Sequence, residues 1–148
     1  FRGTSGDGIQ FFTNYESRKG AELARNPRAA AVFYWEPLGR QVRFEGVVEK
    51  VSPAESDAYF ASRPRSHRLG AWASDQSRPM PHDVVEARFA ELVARYEGQE
   101  VPRPPHWGGF RLVPHRVELW TRRDDRLHER VVWERGASGA WVSTELAP

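Results

Sequence analysis

The 148 residues, 39% hydrophobic and 12% aromatic, fit one globular domain with a real core and leave no room for two. Twenty-two Lys and Arg stand against 20 Asp and Glu, and the resulting charge of +2 is too small and too evenly interleaved to form a nucleic-acid-binding stripe. With no cysteine there is no disulfide framework, thiolate metal site or cysteine nucleophile, and no apolar run approaches the roughly 20 residues needed to cross a bilayer.

A reducing, cytoplasmic setting is therefore expected. The chain lacks an initiating Met and opens on Phe1-Arg2-Gly3-Thr4, so it is expected to begin inside a longer protein. In chain order, Ser5-Gly6-Asp7-Gly8 reads as a turn between two strands, the second running through Ile9 to Thr13. Residues 17–25 read as a short helix stopped by Asn26-Pro27. The apolar run at 29–35 predicts a strand buried on both faces, and the partial alternation of 41–51 predicts one with a wet face. Ser52-Pro53-Ala54-Glu55 has the capping-box pattern with Pro at the first helical position, predicting a helix over 53–62. Asp83 to Glu86 repeats the device before a longer helix at 84–96, with Val85, Phe89, Leu92, Val93 and Tyr96 at helical spacing. Residues 110–121, 127–134 and 141–146 read as three further strands. The fold class is α+β, mostly β, on an antiparallel sheet or small barrel of about six strands with peripheral helices.

No dinucleotide-binding or Walker-type glycine loop is present, and the five His are scattered without metal-ligand spacing. Ser17-Arg18-Lys19 stands where a strand and loop run into a helix. Backbone donors, a hydroxyl and two cations there suit a phosphate, although a solvated first helical turn explains them equally well. Gln41 opens a strand after a tight turn, where an amide offers donor and acceptor to a heteroaromatic edge. Tyr59 and Arg63 are one helical turn apart, the spacing for gripping one oxyanion. Gln76-Ser77 lies in a polar loop. Arg126, His128 and Arg130 are two apart, so a strand would project them on one face, toward either solvent or an anionic ligand.

Taken in order, Phe-Phe-Thr-Asn-Tyr-Glu-Ser-Arg-Lys-Gly from Phe11, Phe-Tyr-Trp-Glu-Pro-Leu-Gly-Arg-Gln-Val-Arg from Phe33, Tyr-Phe-Ala-Ser-Arg-Pro-Arg from Tyr59, Gly-Ala-Trp-Ala-Ser-Asp-Gln-Ser from Gly70, the Val101 to Phe110 segment, Arg-Leu-His-Glu-Arg from Arg126 and the terminal Leu-Ala-Pro resemble the pyridoxamine 5′-phosphate oxidase family. The resemblance covers essentially the whole chain as one domain, 1–148. It implies a split β-barrel lacking its N-terminal segment, with a dimerisation region at about 107–148. It also implies a homodimer with flavin mononucleotide (FMN) at the subunit interface. FMN would be contacted by Phe12, Thr13, Arg18, Lys19, Gln41, Gln76, Ser77, Trp120 and Arg130. A phosphorylated pyridine would be held by Arg2, Tyr59, Arg63 and His67, with Arg126 and His128 over its ring as the catalytic pair. The implied reaction oxidises pyridoxamine or pyridoxine 5′-phosphate to pyridoxal 5′-phosphate, with O2 as acceptor and hydrogen peroxide as product.

This sequence departs from the family pattern in four places. Arg2 replaces a Lys, Phe12 a Tyr, His67 a Ser, and Thr121-Arg122 a Gln-Gly pair. Two alternatives stand beside this reading. A related oxidase of phenazine biosynthesis would take a non-phosphorylated tricyclic substrate, for which a Tyr59–Arg63 phosphate clamp is superfluous. A non-catalytic flavin-binding protein would not need Arg126 and His128.

Overall fold

The computed structural model describes the backbone of residues 3–5 and the whole of residues 8–148. Arg2 therefore lies outside the described residues. Seven antiparallel strands form the sheet: β1 (Gly3–Ser5), β2 (Gly8–Asn14), β3 (Arg28–Trp35), β4 (Arg40–Lys50), β5 (Trp107–Thr121), β6 (Glu129–Arg135) and β7 (Trp141–Leu146). Four helices accompany them: α1 (Arg18–Arg25), α2 (Pro53–Ser62), α3 (Arg65–Ala73) and α4 (His82–Arg95). The α+β, antiparallel expectation of about six strands with peripheral helices holds.

The 15-residue β5 organises the sheet. One of its edges pairs with β4 from Phe110 to Thr121, while the other pairs with β2 over its first half and with β6 over its second. The strand order β1-β2-β5-β4-β3, with β6 and β7 branching from β5, leaves the sheet unclosed among the described residues. Opposite Glu45 and Gly46 the register slips past His115, a bulge that bends β5 between its two partners.

Local sequence accounts for most boundaries. Ser17 caps α1: its Oγ accepts from the Gly20 N–H and donates to the Asn14 carbonyl. The Ser52–Glu55 capping box is complete, and α2 begins at Pro53 as expected. Gly39 closes the β3–β4 turn with φ of 57°, a conformation that a Cβ disfavours.

Four expectations need correction. First, β3 is not buried on both faces. It is an edge strand whose Val32 and Tyr34 are 54% and 51% exposed while Ala31 and Phe33 turn to the core. A run without polar residues hides which face is covered. Second, Asp83 caps no helix, because α4 starts at His82 after Pro81, whose fixed φ ends the preceding loop first. Third, residues 65–73, not assigned to a helix from sequence, form α3, which starts directly behind Pro64. Its Arg65 donates to the carbonyls of Tyr96 and Gln99, satisfying the C-terminal end of α4. Fourth, β6 begins at Glu129, so Arg126 lies in the preceding turn.

Two apolar clusters fill the molecule. Ile9, Val48, Phe110 and Leu112 lie inside the curved sheet, with Phe11, Leu23, Ala31, Phe33 and Phe44 against them. Phe60, Leu69, Tyr96, Val101 and Trp107 join α2, α3 and α4 to the start of β5.

Candidate functional site

The expected site residues fall into two groups at opposite ends of β5. Thr13 pairs with Gly108 and Gln41 pairs with Trp120. The groups are therefore twelve residues apart along β5, roughly 40 Å of strand contour.

At the first end, Phe12, Thr13, Lys19, Tyr59, Arg63, Gln76 and Trp107 line a cleft of about 270 Å³. Three of its lining residues are aromatic and pack on one another. Phe12 and Tyr59 stack with ring centroids 3.9 Å apart, and Trp107 continues the stack 5.6 Å from Phe12. Gly109 makes room for it, since a Cβ there would stand 2.7 Å from the Phe12 ring. The walls are polar. Gln76 Oε1 accepts from Thr13 Oγ1 and from the Asn14 N–H, each at 3.3 Å, which ties the 74–81 loop to β2. The Arg63 guanidinium lies 4.7 Å from the Trp107 ring centre, a cation–π contact that fixes its plane. Arg63 and His67 share an adjoining open cleft with Ser66, Gly70 and Gln76.

Not every expected residue joins this cleft. The Arg18 side chain is 84% exposed and pairs with Glu22 at 2.8 Å, which raises the Arg18 pKa above its ordinary value. The Ser17 hydroxyl is consumed by helix capping. Ser77 sits beside Gln76 with φ of 70°, a left-handed backbone uncommon outside glycine.

At the other end, Gln41, Trp120 and Arg130 are cross-strand neighbours on β4, β5 and β6, so their side chains form one row. His128 lies against this row, with its ring centre 4.7 Å from that of Trp120. Its Nδ1 accepts from the Arg123 N–H at 3.1 Å, so the neutral imidazole carries its proton on Nε2. Neither Arg126 nor His128 lies on the strand that carries Arg130: both precede β6, and Arg126 occupies a turn with φ of 66°. That turn is braced by Asp125, which accepts from the Leu127 N–H and pairs with Arg123. The Arg123 guanidinium and this backbone donor hold the Asp125 carboxyl below its ordinary pKa.

Beneath the row runs a charged lattice of Arg43, Glu45, Arg116, Glu118, Arg130 and Glu134. Glu118, buried within it, is held below the ordinary carboxylate range chiefly by its hydrogen bond from Arg130, against the opposing effect of burial. Sequence reasoning assigned no role to Trp107 or Glu118. The signal for Trp107 was an aromatic residue followed by two glycines. That for Glu118 was its alternation with Arg116 and Trp120, out of phase with the apolar Val117 and Leu119.

An unclosed antiparallel sheet bent around one long strand, with a cation-lined aromatic cleft at one end and a Gln–Trp–Arg row at the other, defines a split-barrel protein of the flavin-binding type. Residues 1–120 match the family described as pyridoxamine 5′-phosphate oxidase, and residues 107–148 match the pyridoxine 5′-phosphate oxidase C-terminal dimerisation region. The pyridoxine/pyridoxamine 5′-phosphate oxidase of Cupriavidus metallidurans is 55% identical over 148 residues, covering 99% of this chain and 69% of that protein. That of Bordetella pertussis is 56% identical over 147 residues, covering 99% and 70%. Among solved structures, PhzG from Burkholderia lata, in complex with tetrahydrophenazine-1-carboxylic acid, superposes with a TM-score of 0.89 at 35% identity, covering 96% of this chain and 69% of that one. An FMN-binding protein from Nostoc punctiforme, 18% identical with a TM-score of 0.73 over 95% and 72%, shares the fold. The chain belongs to the pyridoxamine 5′-phosphate oxidase family.

Proposed function

We propose that this protein, as a homodimer, is an FMN-dependent oxidase that converts pyridoxamine or pyridoxine 5′-phosphate to pyridoxal 5′-phosphate. The observation that carries the reading is the convergence of Lys19, Tyr59 and Arg63 on one cleft. The donor set there fits the group. An ammonium at the start of a helix suits a phosphate, and the Thr13 hydroxyl and Gln76 amide suit polar atoms of a flavin. Bound FMN would supply the two-electron acceptor chemistry, with O2 as final acceptor and hydrogen peroxide as product.

The protein's own part is binding and orientation. Lys19 anchors the flavin phosphate, with Arg18 at the rim after release from Glu22. Phe12, Thr13, Gln76 and Ser77 border the flavin from the same protomer. The separation along β5 supports supply of Gln41, Trp120 and Arg130 by the partner protomer, with Arg126 and His128 of that end placed over the substrate ring. Tyr59, Arg63, His67 and Arg2 hold the substrate phosphate as a remote handle, so binding energy far from the reacting carbon serves its orientation. With Nε2 protonated, His128 presents a donor toward the substrate.

A second reading, oxidation of a tricyclic carboxylic acid, is favoured by the likeness to PhzG and by Arg122, whose side chain packs over Gly39 near the row. Aerobic assay of the full-length protein with FMN decides between them. Peroxide formation with pyridoxine 5′-phosphate, and none with the dephosphorylated compound, supports the first reading. Turnover of only tetrahydrophenazine-1-carboxylic acid supports the second, and FMN binding without turnover of either substrate marks a non-catalytic flavin protein.

A further inference from the structure

Among the described residues the buried polar side chains are Thr13, Asn14, Ser17, Ser56 and Glu118, of which only Glu118 is ionisable. It stands on β5 opposite Arg43 of β4 and Val132 of β6, two residues before Trp120 and on the same face. Its Oε1 accepts from Arg130 Nε at 2.8 Å, and Arg130 Nη1 donates to the Ala147 carbonyl at 3.1 Å. Arg116 approaches Oε2 only to 3.6 Å and is engaged more closely by Glu45 at 2.7 Å. The principal partner of Glu118 is thus Arg130.

Desolvating a carboxylate opposes folding, and an ion pair buried in this way contributes little net stability compared with apolar packing. Val132, directly opposite and 3% exposed, shows that this part of the sheet accepts an apolar side chain. A charge is not needed for strand pairing here. What a buried, charge-assisted hydrogen bond does well is fix one guanidinium orientation. Arg130 is long and flexible, and its Nε and Nη1 are both engaged, which leaves Nη2 for a ligand beside Gln41 and Trp120.

We propose that Glu118 is a positioning residue, holding the Arg130 guanidinium in the row with Gln41 and Trp120 in the orientation that receives FMN. The inference rests on the reading of Arg130 as a flavin contact.

A double-mutant cycle on the full-length dimer tests it, with FMN added to the flavin-stripped protein and Kd read from quenching of flavin fluorescence. Glu118→Ala is expected to raise Kd about tenfold, as the loss of one oriented charged hydrogen bond would. Glu118→Gln, which keeps an acceptor for Arg130 Nε, should recover to within about threefold of the parent. In an Arg130→Ala background, Glu118→Ala should change Kd by less than about twofold, because there is no guanidinium left to orient. An equal loss in both backgrounds, or no loss in either, overturns the proposal. If the parent binds FMN but Arg130→Ala leaves Kd unchanged, the reading of Arg130 fails and takes the positioning role with it. If Glu118→Ala does not fold, the same cycle with Glu118→Leu decides, which removes the acceptor but fills the space beside Val132: a loss confined to the protein that retains Arg130 supports the role, and an equal loss in both backgrounds, or none in either, refutes it.

Discussion

Phe12 of β2 and Tyr59 of α2 lie ring over ring, with centroids 3.9 Å apart and planes 26° from parallel. The contact locks the helix that carries the proposed phosphate ligands onto the strand that borders the proposed flavin. It also separates two roles of Tyr59, since the ring belongs to the stack and the hydroxyl is the ligand. Tyr59→Phe should retain the melting temperature and FMN content while kcat/KM for pyridoxine 5′-phosphate falls about tenfold, the effect of one lost hydrogen bond. Tyr59→Ala should in addition lower stability, because an aromatic pair contributes ~1 kcal/mol beyond its buried area. Thermal melts and steady-state kinetics of both variants check this, and equal melting losses would show that the hydroxyl is structural.

Lys19 and Arg18 are adjacent in sequence but differently placed. Lys19 lines the cleft, whereas Arg18 points outward to Glu22. Lys19→Ala should weaken FMN binding by about 1.5–3 kcal/mol, one to two decades in Kd, as expected for a charged hydrogen bond to phosphate. Arg18→Ala should have the smaller effect, because binding must first break its existing pair. Fluorescence titration with FMN measures both, and the reverse order would place the phosphate on the Arg18 side of α1.

The sheet, α2 and the first strand pair were legible because capping boxes, turn glycines and alternation are local signals. The Ser52 to Glu55 pattern located the start of α2 to the residue. The exposed face of β3 was not legible, since Val32 and Phe33 are both apolar and only tertiary packing tells which faces water. For the candidate site, reading the residues supplied Tyr59, Arg63, Lys19 and Gln76 one at a time, and only the family resemblance grouped them at one site. Trp107 went unassigned because its role depends on Phe12 and Tyr59 arriving from elsewhere in the chain. The strand rule also misplaced Arg126, because Asp125 and Arg123 shape a turn where alternation predicted a strand.

The capping box of α2 gives a pH-dependent prediction. Ser52 Oγ and the Ser52 N–H both donate to Glu55 and hold its carboxyl below the ordinary value of 4.5. A folded pKa below the unfolded one means that the stabilisation is fully present above about pH 4.5 and is lost as pH falls through the lower, folded value. Ser52→Ala removes the hydroxyl, and loss of this cap should cost about 1 kcal/mol at neutral pH. The gap in melting temperature between parent and variant should narrow as pH falls below 4.5. A gap independent of pH would assign the whole effect to the hydrogen bond from the Glu55 N–H to Ser52 Oγ.

Substrate choice turns on Arg63 and His67, which share the open cleft beside the aromatic stack. If they hold a substrate phosphate, Arg63→Ala should lower kcat/KM for pyridoxine 5′-phosphate by one to two decades, the range for a lost charged hydrogen bond, while FMN affinity stays near the parent value. The guanidinium also packs on Trp107, so some melting temperature should be lost as well. Arg63→Lys separates the two effects, keeping charge while losing the planar fork and its stacking. It should restore only part of kcat/KM. His67 adds a second test. If its imidazole donates to the phosphate in place of a hydroxyl, His67→Ser should keep turnover while His67→Ala raises KM for pyridoxine 5′-phosphate by about tenfold, the effect of one lost hydrogen bond. An unchanged KM in His67→Ala would remove His67 from the phosphate site. Equal use of pyridoxine with and without its phosphate, unaffected by Arg63→Ala, would instead favour a tricyclic acid such as the one bound in PhzG.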